Sequence, residues 1–226
     1  MSSRSGAAVN VKRGLAVAAA LAAVLGTTVT GAVAAAPTAA AAADCPDVEL
    51  IFARGTDEPP GIGVVGQALL DSLRSKVKKK DVRAYAVRYP ASWDFTGVAV
   101  GANDASAHAQ ATAASCPKTD IVLGGYSQGA AVVDVVTTSP IAGLGFRNPM
   151  PAAMADRVSA VAVFGNPSAR VGQPLTMLSP LYGAKTADLC NTADPICSLG
   201  RNWPSHTSYP QSGLVKVAAD WITKHL

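Results

Sequence analysis

The chain has 226 residues, of which 49% are hydrophobic and 15% are charged, and its formal net charge is +4 at pH 7. The first 43 residues hold three basic and no acidic residues, so the remainder carries 16 basic against 15 acidic residues. This nearly even charge balance excludes the strongly basic surface that nucleic-acid binding requires. We therefore expect no nucleic-acid partner.

Residues 1–43 have the pattern of a secretory signal peptide. Basic residues precede an apolar stretch from Gly14 to about Leu25, which leads into an alanine-rich tail. Polar residues interrupt the apolar stretch after Leu25, which favours export over a permanent membrane span. Cleavage is expected between residues 36 and 43. This leaves one catalytic domain over residues 44–226, secreted and either extracellular or associated with the cell envelope.

Four cysteines follow the predicted signal peptide, at Cys45, Cys116, Cys190 and Cys197. Export places them where disulfides persist, and four cysteines allow three pairings. The favoured pairing joins the two close cysteines across a local loop and leaves the first two for each other. Zinc is the alternative, but the chain has no CxxC motif and no paired histidine spacing. We therefore expect no metal and no other cofactor.

Short apolar runs alternate with longer helical patterns along the predicted domain. The strand-like runs are residues 48–53, 82–89, 120–126 and 158–164. The helical patterns are residues 63 to about 77, 97–114, 128 to about 138 and 214–225, with Val64, Val217, Trp221 and Leu226 among the expected buried positions. The alternation predicts an α/β fold with a mainly parallel sheet covered on both faces. In such sheets, active sites form at the carboxyl ends of the strands.

The pentapeptide GYSQG at residues 125–129 has the GxSxG pattern and lies between a predicted strand and a predicted helix. This is the setting of a nucleophile elbow, in which a tight turn exposes the serine hydroxyl, here that of Ser127. The flanking glycines fit because a side chain at either position would collide with the neighbouring strand or helix. Many GxSxG matches are ordinary turns, so the other residues must decide between the two interpretations.

A serine nucleophile needs a base and a group that orients the base. His206 is the favoured base because its loop precedes the last helix, whereas His108 and His225 fit ordinary packed or surface positions. Asp194 is the favoured orienting acid because it lies in the loop between the last two cysteines, and Asp188 is the reserve candidate. The chain order Ser, Asp, His is that of the α/β-hydrolases.

Acyl transfer also needs donors for the oxyanion. The amide of Gln128, the residue after the serine, is one donor by geometry. The second donor is expected from the loop after the first strand, where Thr56 offers an amide and a hydroxyl. The alternative interpretation of Thr56 is a helix cap.

Together, ARGT at residues 53–56, GYSQG at 125–129, CNTADPIC at 190–197 and the histidine that follows resemble the cutinase family, especially its actinomycete cutinase-like esterases. The resemblance implies an α/β-hydrolase fold, a three-layer α/β/α sandwich around a five-stranded parallel sheet, and a serine esterase without cofactor. The site residues that it implies are Ser127 as nucleophile, His206 as base, Asp194 as orienting acid, and Thr56 and Gln128 as the oxyanion hole. It also implies the disulfides Cys45–Cys116 and Cys190–Cys197.

The chain departs from the fungal members of the family at two places. Thr56 replaces a serine, and polar residues within 198–202 interrupt an apolar rim. The apolar residues left for an acyl chain are Ile196, Leu199, Trp203, Trp93 and Phe95. We therefore expect a monomer that hydrolyses esters or lipids of short to medium acyl chain and contacts lipid surfaces at most transiently. The alternatives are a phospholipase, a thioesterase, an acetylxylan esterase, or a non-catalytic binding or antigenic protein.

Overall fold

A computed structural model describes residues 44–139 and 142–226, and the predicted signal peptide lies outside the described residues. Five parallel strands form one sheet in the order β2-β1-β3-β4-β5. The strands are β1 Val48–Ala53, β2 Val82–Ala86, β3 Asp120–Tyr126, β4 Val158–Phe164 and β5 Thr186–Leu189. Because all five strands are parallel, their carboxyl ends meet at one edge, where the predicted site residues follow β1, β3 and β5.

Within the described ranges 44–139 and 142–226, four long helices and three short ones connect or follow the strands. They are α1 Gly63–Lys76, α2 Gly97–Ser115, α3 Gln128–Thr138, α4 Pro167–Arg170, α5 Leu175–Leu178, α6 Trp203–Thr207 and α7 Leu214–Thr223. Two 3₁₀ helices cover Ala152–Asp156 and Gly183–Lys185. Among the helices of the described ranges, none combines the length and the apolar character that crossing a bilayer would take.

The sheet separates two hydrophobic cores because successive strand residues point to opposite faces. On one face, Ile51 and Leu123 pack among the buried residues of α2 and α3. On the other face, Leu50 and Phe52 pack among those of α1 and α7. The expected three-layer α/β/α sandwich with a five-stranded parallel sheet is confirmed.

The second strand is shorter than the predicted range 82–89. The pairing of β1 with β2 ends at Phe52 and Ala86, after which Val87 N donates to Phe52 O at 3.0 Å. The carbonyl of Tyr89 instead accepts a hydrogen bond of 2.9 Å from the Arg54 guanidinium. A buried side chain therefore replaces the strand partner at this end.

Two predicted buried positions are wrong: Val64 is 66% exposed and Val217 is 50% exposed. Each lies one or two positions from a residue of the buried stripe, such as Val65 or Val215, and one residue rotates the side chain by about 100° around a helix. Trp221 and Leu226 are partly buried, and the last helix ends at Thr223 rather than 225. No apolar run marks the fifth strand, because only four residues form it and one is an aspartate.

Candidate active site

Ser127 occupies the tight turn between β3, which ends at Tyr126, and α3, which begins at Gln128. Its φ of 56° and ψ of −117° are unfavourable for a residue with a side chain. The turn is held because Ser127 N donates to Phe164 O, on the neighbouring strand, at 2.8 Å. The strand, strained turn and helix together have the geometry of a nucleophile elbow.

The two glycines of the pentapeptide are required by close backbone contacts. A Cβ at Gly125 would lie 2.1 Å from Gly129 O, and a Cβ at Gly129 would lie 2.0 Å from Ala53 O. Backbone atoms cannot move aside as a flexible side chain can. Only glycine therefore fits at both positions, as the sequence predicts.

The structure brings Ser127, His206 and Asp194 into one hydrogen-bonded line. His206 Nε2 lies 2.9 Å from Ser127 Oγ, and His206 Nδ1 lies 2.9 Å from Asp194 Oδ2 and 3.0 Å from Asp194 Oδ1. Asp194 has no solvent exposure and His206 is 7% exposed. A hydroxyl, an imidazole and a carboxylate in this order can transfer a proton away from the serine and stabilise the resulting imidazolium.

A covalent crosslink and two hydrogen bonds shape the loop that carries Asp194. The Cys190–Cys197 disulfide closes the loop. Asp194 O accepts from Ser198 N at 3.0 Å, and Ala193 O accepts from Asn202 N at 2.9 Å. These bonds fix the carboxylate relative to the imidazole, which lies in the short helix α6 rather than in the predicted open loop.

All four cysteines of the chain are oxidised. The disulfides are Cys45–Cys116, with an S–S distance of 2.04 Å, and Cys190–Cys197, with 1.99 Å. This is the pairing that loop closure favours and that the resemblance implies. Within residues 44–139 and 142–226, no three His, Cys, Asp or Glu side chains come together as metal ligands would.

Asp194 stays ionised although it is buried. Burial raises the pKa of its carboxyl, but hydrogen bonds from His206, Tyr209 and the Ile196 amide outweigh burial and lower the pKa below its usual range. The Tyr209 hydroxyl donates at 2.6 Å and Ile196 N donates at 2.8 Å. An anionic carboxylate is what an imidazole needs when it accepts a proton.

Two tyrosines in this network were missed by the sequence reasoning. Tyr209 is fully buried, and its hydroxyl accepts from Asn191 N at 3.2 Å besides donating to Asp194. The Tyr126 hydroxyl donates to His206 O at 2.7 Å. Tyr126 is the variable residue before the serine, and Tyr209 lies three positions after the histidine. Neither spacing has a chemical meaning until the fold brings the groups together.

Thr56 and Gln128 lie at the carboxyl ends of β1 and β3, which pair directly. The Gln128 side chain is buried, and its Nε2 donates to Ser92 O at 2.7 Å. Among the hydrogen bonds of the described residues, none uses the backbone N–H of Thr56 or the backbone N–H of Gln128. Thr56 is also no helix cap, because α1 begins only at Gly63. Both amides are therefore available to an oxyanion.

The remaining candidates lie elsewhere. The carboxylate of Asp188 accepts from Asn166 Nδ2 at 3.1 Å and does not contact the imidazole of His206. His108 lies 3.0 Å from a carboxylate oxygen of Glu49 and stacks on Tyr85. His225 lies near the end of the chain, where its Nδ1 bonds to a carbonyl of α7. The structure thus selects Asp194 over Asp188 as the partner of the histidine.

Several large apolar side chains are exposed in the segments 93–95 and 199–203. Trp93 is 72% exposed, Leu199 84% and Trp203 57%, and Phe95 is 51% exposed. The Trp203 ring lies edge-on to the His206 ring, with centroids 6.0 Å apart. The segment between Asp194 and His206 therefore presents apolar surface beside the imidazole, with polar residues between Leu199 and Trp203.

A family model described as Cutinase matches residues 44–226. The chain is 51% identical over 186 residues to Phospholipase Culp4 of Mycobacterium tuberculosis, covering 82% of this chain and 81% of the relative. It is 47% identical over 195 residues to Carboxylesterase Culp1 of the same species, covering 83% and 85%.

A solved structure of Trichoderma reesei cutinase in complex with a phosphonate inhibitor has a similar fold. The TM-score is 0.67 at 32% identity, and the match covers 80% of this chain and 77% of that one. The family match over the whole predicted domain and the high identity to the two mycobacterial relatives lead to one conclusion. The chain belongs to the cutinase family.

Proposed function

We propose that this carboxylic ester hydrolase is a secreted serine esterase in which Ser127 is the nucleophile, His206 the base and Asp194 the orienting acid. The observation that carries the proposal is the pair of contacts at His206. Its Nε2 lies 2.9 Å from Ser127 Oγ while its Nδ1 lies 2.9 Å from the Asp194 carboxylate. Only an imidazole held at both nitrogens can take a proton at one and be stabilised through the other.

In the acylation step, His206 Nε2 takes the hydroxyl proton as Ser127 Oγ attacks the ester carbonyl carbon. The carbonyl oxygen becomes an oxyanion, which the amides of Gln128 and Thr56 stabilise. Loss of one such donor typically costs about 3 to 4 kcal/mol of transition-state stabilisation. When the intermediate collapses, His206 returns the proton to the leaving alcohol and the acyl group stays on Ser127.

Deacylation repeats the sequence with water as the nucleophile. His206 takes a proton from water, the hydroxide attacks the acyl-enzyme, and the carboxylic acid leaves as Ser127 regains its proton. Asp194 remains ionised throughout, and its charge stabilises the imidazolium in both halves of the reaction.

We propose soluble or micellar esters of short to medium acyl chain as substrates. The exposed side chains of Trp93, Leu199 and Trp203 support an apolar acyl site on the loops near Ser127. The polar residues between Leu199 and Trp203 argue against a continuous apolar surface for a waxy polymer. Phospholipids are a second candidate, supported by the relative named Phospholipase Culp4.

Export is part of the proposal. It is supported by the signal-peptide pattern of residues 1–43 and by two disulfides, which persist in oxidising compartments. Expression of the full chain should deliver a processed form to the culture medium or the cell envelope, and its N-terminal residue should lie near residue 44. Retention of full-length protein in the cytoplasm would contradict export.

The test is hydrolysis of nitrophenyl esters from acetate to palmitate, together with a phospholipid panel, by the mature protein and by Ser127→Ala. Ser75→Ala is the matched control, since Ser75 is an exposed serine on α1. We expect hydrolysis by the wild type and the control, and a loss of at least about 1000-fold in Ser127→Ala. An organophosphonate should label Ser127 stoichiometrically. Equal activity of Ser127→Ala and wild type would exclude the serine mechanism.

A further inference from the structure

Glu58 connects the loop that carries Thr56 to the first turn of α1. Its Oε2 accepts a hydrogen bond of 2.6 Å from Gly55 N, and its Oε1 accepts one of 2.8 Å from Val64 N. Gly55 immediately precedes Thr56, and Val64 is the second residue of the helix. One carboxylate therefore fixes the loop to the helix through both of its oxygens.

The space around this carboxylate is closely fitted. A Cβ at Gly63, whose φ is +67°, would approach the Glu58 carboxylate oxygen to 2.3 Å. A Cβ at Gly55 would lie 2.7 Å from the ring of Tyr126 and 3.3 Å from Glu58 Oε2. Both glycines leave room that the carboxylate and the ring use, so the position of Glu58 is determined by packing as well as by hydrogen bonds.

The helix end is a suitable anchor for a carboxylate. Its N-cap residue, Ile62, provides no side-chain hydrogen bond, so the first amides of α1 need an acceptor from elsewhere. A negative charge at a helix N-terminus is favourable because the peptide dipoles place partial positive charge there. The helix itself is rigidly packed, since Val65, Leu69 and Leu73 are buried against the sheet.

The other side of Thr56 is also held. Asp57, with a φ of 60°, donates its amide to Ala91 O at 2.7 Å, and Arg54 Nε donates to Glu58 O at 2.8 Å. Thr56 thus lies between two residues whose amides are both engaged, while its own amide has no partner within the described residues. This arrangement leaves the Thr56 amide in a fixed direction and available for binding.

We propose that Glu58 is the positioning residue of the oxyanion hole: it holds Gly55 so that the Thr56 amide stays aimed at the developing oxyanion. The inference rests on the proposed role of Thr56. Glu58 contacts neither the substrate nor the reacting atoms, and it acts through the backbone at Gly55. The oxyanion forms only after attack on the ester carbonyl. The loss of Glu58 should therefore raise the free energy of the transition state, and so lower kcat, while changing substrate affinity little.

The experiment compares Glu58→Gln and Glu58→Ala with wild type on nitrophenyl butyrate. Glutamine keeps the shape but replaces one acceptor by an NH₂ group, which must face a backbone N–H. We expect kcat to fall about 10-fold to 100-fold, with KM changed by no more than about 2-fold. A trifluoromethyl ketone, whose adduct with Ser127 carries an oxyanion, should bind more weakly by the same factor as kcat/KM falls.

Met154→Ala is the control for a merely structural role. It removes a buried side chain from the core on the opposite face of the sheet to α1, so the melting temperature should fall while kcat at 25 °C stays near wild type. The pH profile of kcat/KM should be unchanged in Glu58→Gln, because the imidazole and its carboxylate are not altered. If Glu58→Ala does not fold, the kcat and KM of Glu58→Gln alone test the role of Glu58.

Wild-type kcat in Glu58→Gln, an equal loss of kcat in Met154→Ala, or a shifted pH profile would each overturn the inference. Failure of the proposed function has a different result. The wild type would then be inactive on every ester, or as active as Ser127→Ala. An active wild type with an inactive Ser127→Ala and unaffected Glu58 variants would reject the role of Glu58 alone.

Discussion

Tyr209 donates a hydrogen bond of 2.6 Å to Asp194 Oδ2, the same oxygen that lies 2.9 Å from His206 Nδ1. Two donors therefore converge on one carboxylate oxygen, while Asp194 Oδ1 accepts from Ile196 N at 2.8 Å. The carboxylate has no contact with solvent, so these donors replace the water that would otherwise stabilise its charge. Tyr209 joins the carboxylate to the core of the domain.

Replacing Tyr209 by phenylalanine should weaken both stability and activity. The change removes the donor to Asp194 and leaves Asn191 N without its acceptor, so the free energy of unfolding should fall by about 1 to 3 kcal/mol. The pKa of Asp194 should rise because one of the hydrogen bonds that lower it is lost. Urea unfolding and the pH dependence of kcat/KM measure the two effects. A variant that unfolds and reacts like wild type would show that the hydroxyl is dispensable.

Asp194→Asn should lower kcat by about 10,000-fold, because an amide neither selects the required imidazole tautomer nor stabilises the imidazolium. Asp188→Asn is the matched control, since Asp188 lies near the same end of the sheet but bonds to Asn166. We expect its kcat to stay within about 3-fold of wild type. Steady-state kinetics on nitrophenyl butyrate distinguish the two. A large loss in Asp188→Asn with activity kept in Asp194→Asn would reverse the assignment.

A double alanine substitution that removes the Cys190–Cys197 disulfide should lower kcat. It should lower the free energy of unfolding less than removal of the Cys45–Cys116 disulfide does. Chain-entropy reasoning gives about 2.5 kcal/mol for a loop of this separation, against about 4.4 kcal/mol for Cys45–Cys116. The short loop carries Asp194, whereas the other bond joins residues remote from the histidine. We therefore expect the Cys45–Cys116 double variant to melt lower yet keep its kcat at 25 °C.

Measurements of melting temperature and kcat on both double variants test whether one disulfide mainly supports activity and the other mainly supports stability. A loss of kcat that followed the melting temperature alone in both variants would contradict the separate role of the Asp194 loop.

Asp134 and Asp188 form a partly buried pair that shares the Nδ2 group of Asn166, at 3.0 Å and 3.1 Å. The pKa of Asp134 is raised from 3.8 to about 6, because burial and the nearby charge of Asp188 outweigh the hydrogen bond from Asn166. Burial also raises the pKa of Asp188. A folded-state pKa above the unfolded value stabilises the protein at low pH, and this contribution is lost as pH rises through about 6.

Asp134→Asn should therefore be more stable than wild type at pH 8, by roughly 1 to 3 kcal/mol, and should lose this advantage near pH 4. Asparagine keeps an oxygen acceptor for Asn166 without the buried charge. Urea unfolding of both proteins at the two pH values provides the measurement. An equal difference at both pH values would show that Asp134 does not titrate as described.

The local sequence was sufficient to predict the tight turn at Ser127, because the turn depends on neighbours within two positions. Glycines at 125 and 129, a strand before and a helix after are all visible in the chain, and the backbone contacts of the two glycines explain why. The alternation of strands and helices likewise predicted the layered architecture. Each of these features has a period or spacing of a few residues, so it can be recognised without knowledge of the fold.

Only the tertiary structure decided which residues complete the site. Asp194 and Asp188 differ by six positions and both precede the histidine, yet only Asp194 reaches His206. Tyr209 and Glu58 carry no recognisable motif, because their partners are backbone or carboxylate groups that folding brings to them. Hydrogen bonds act over about 3 Å, and the chain order does not determine which groups come that close.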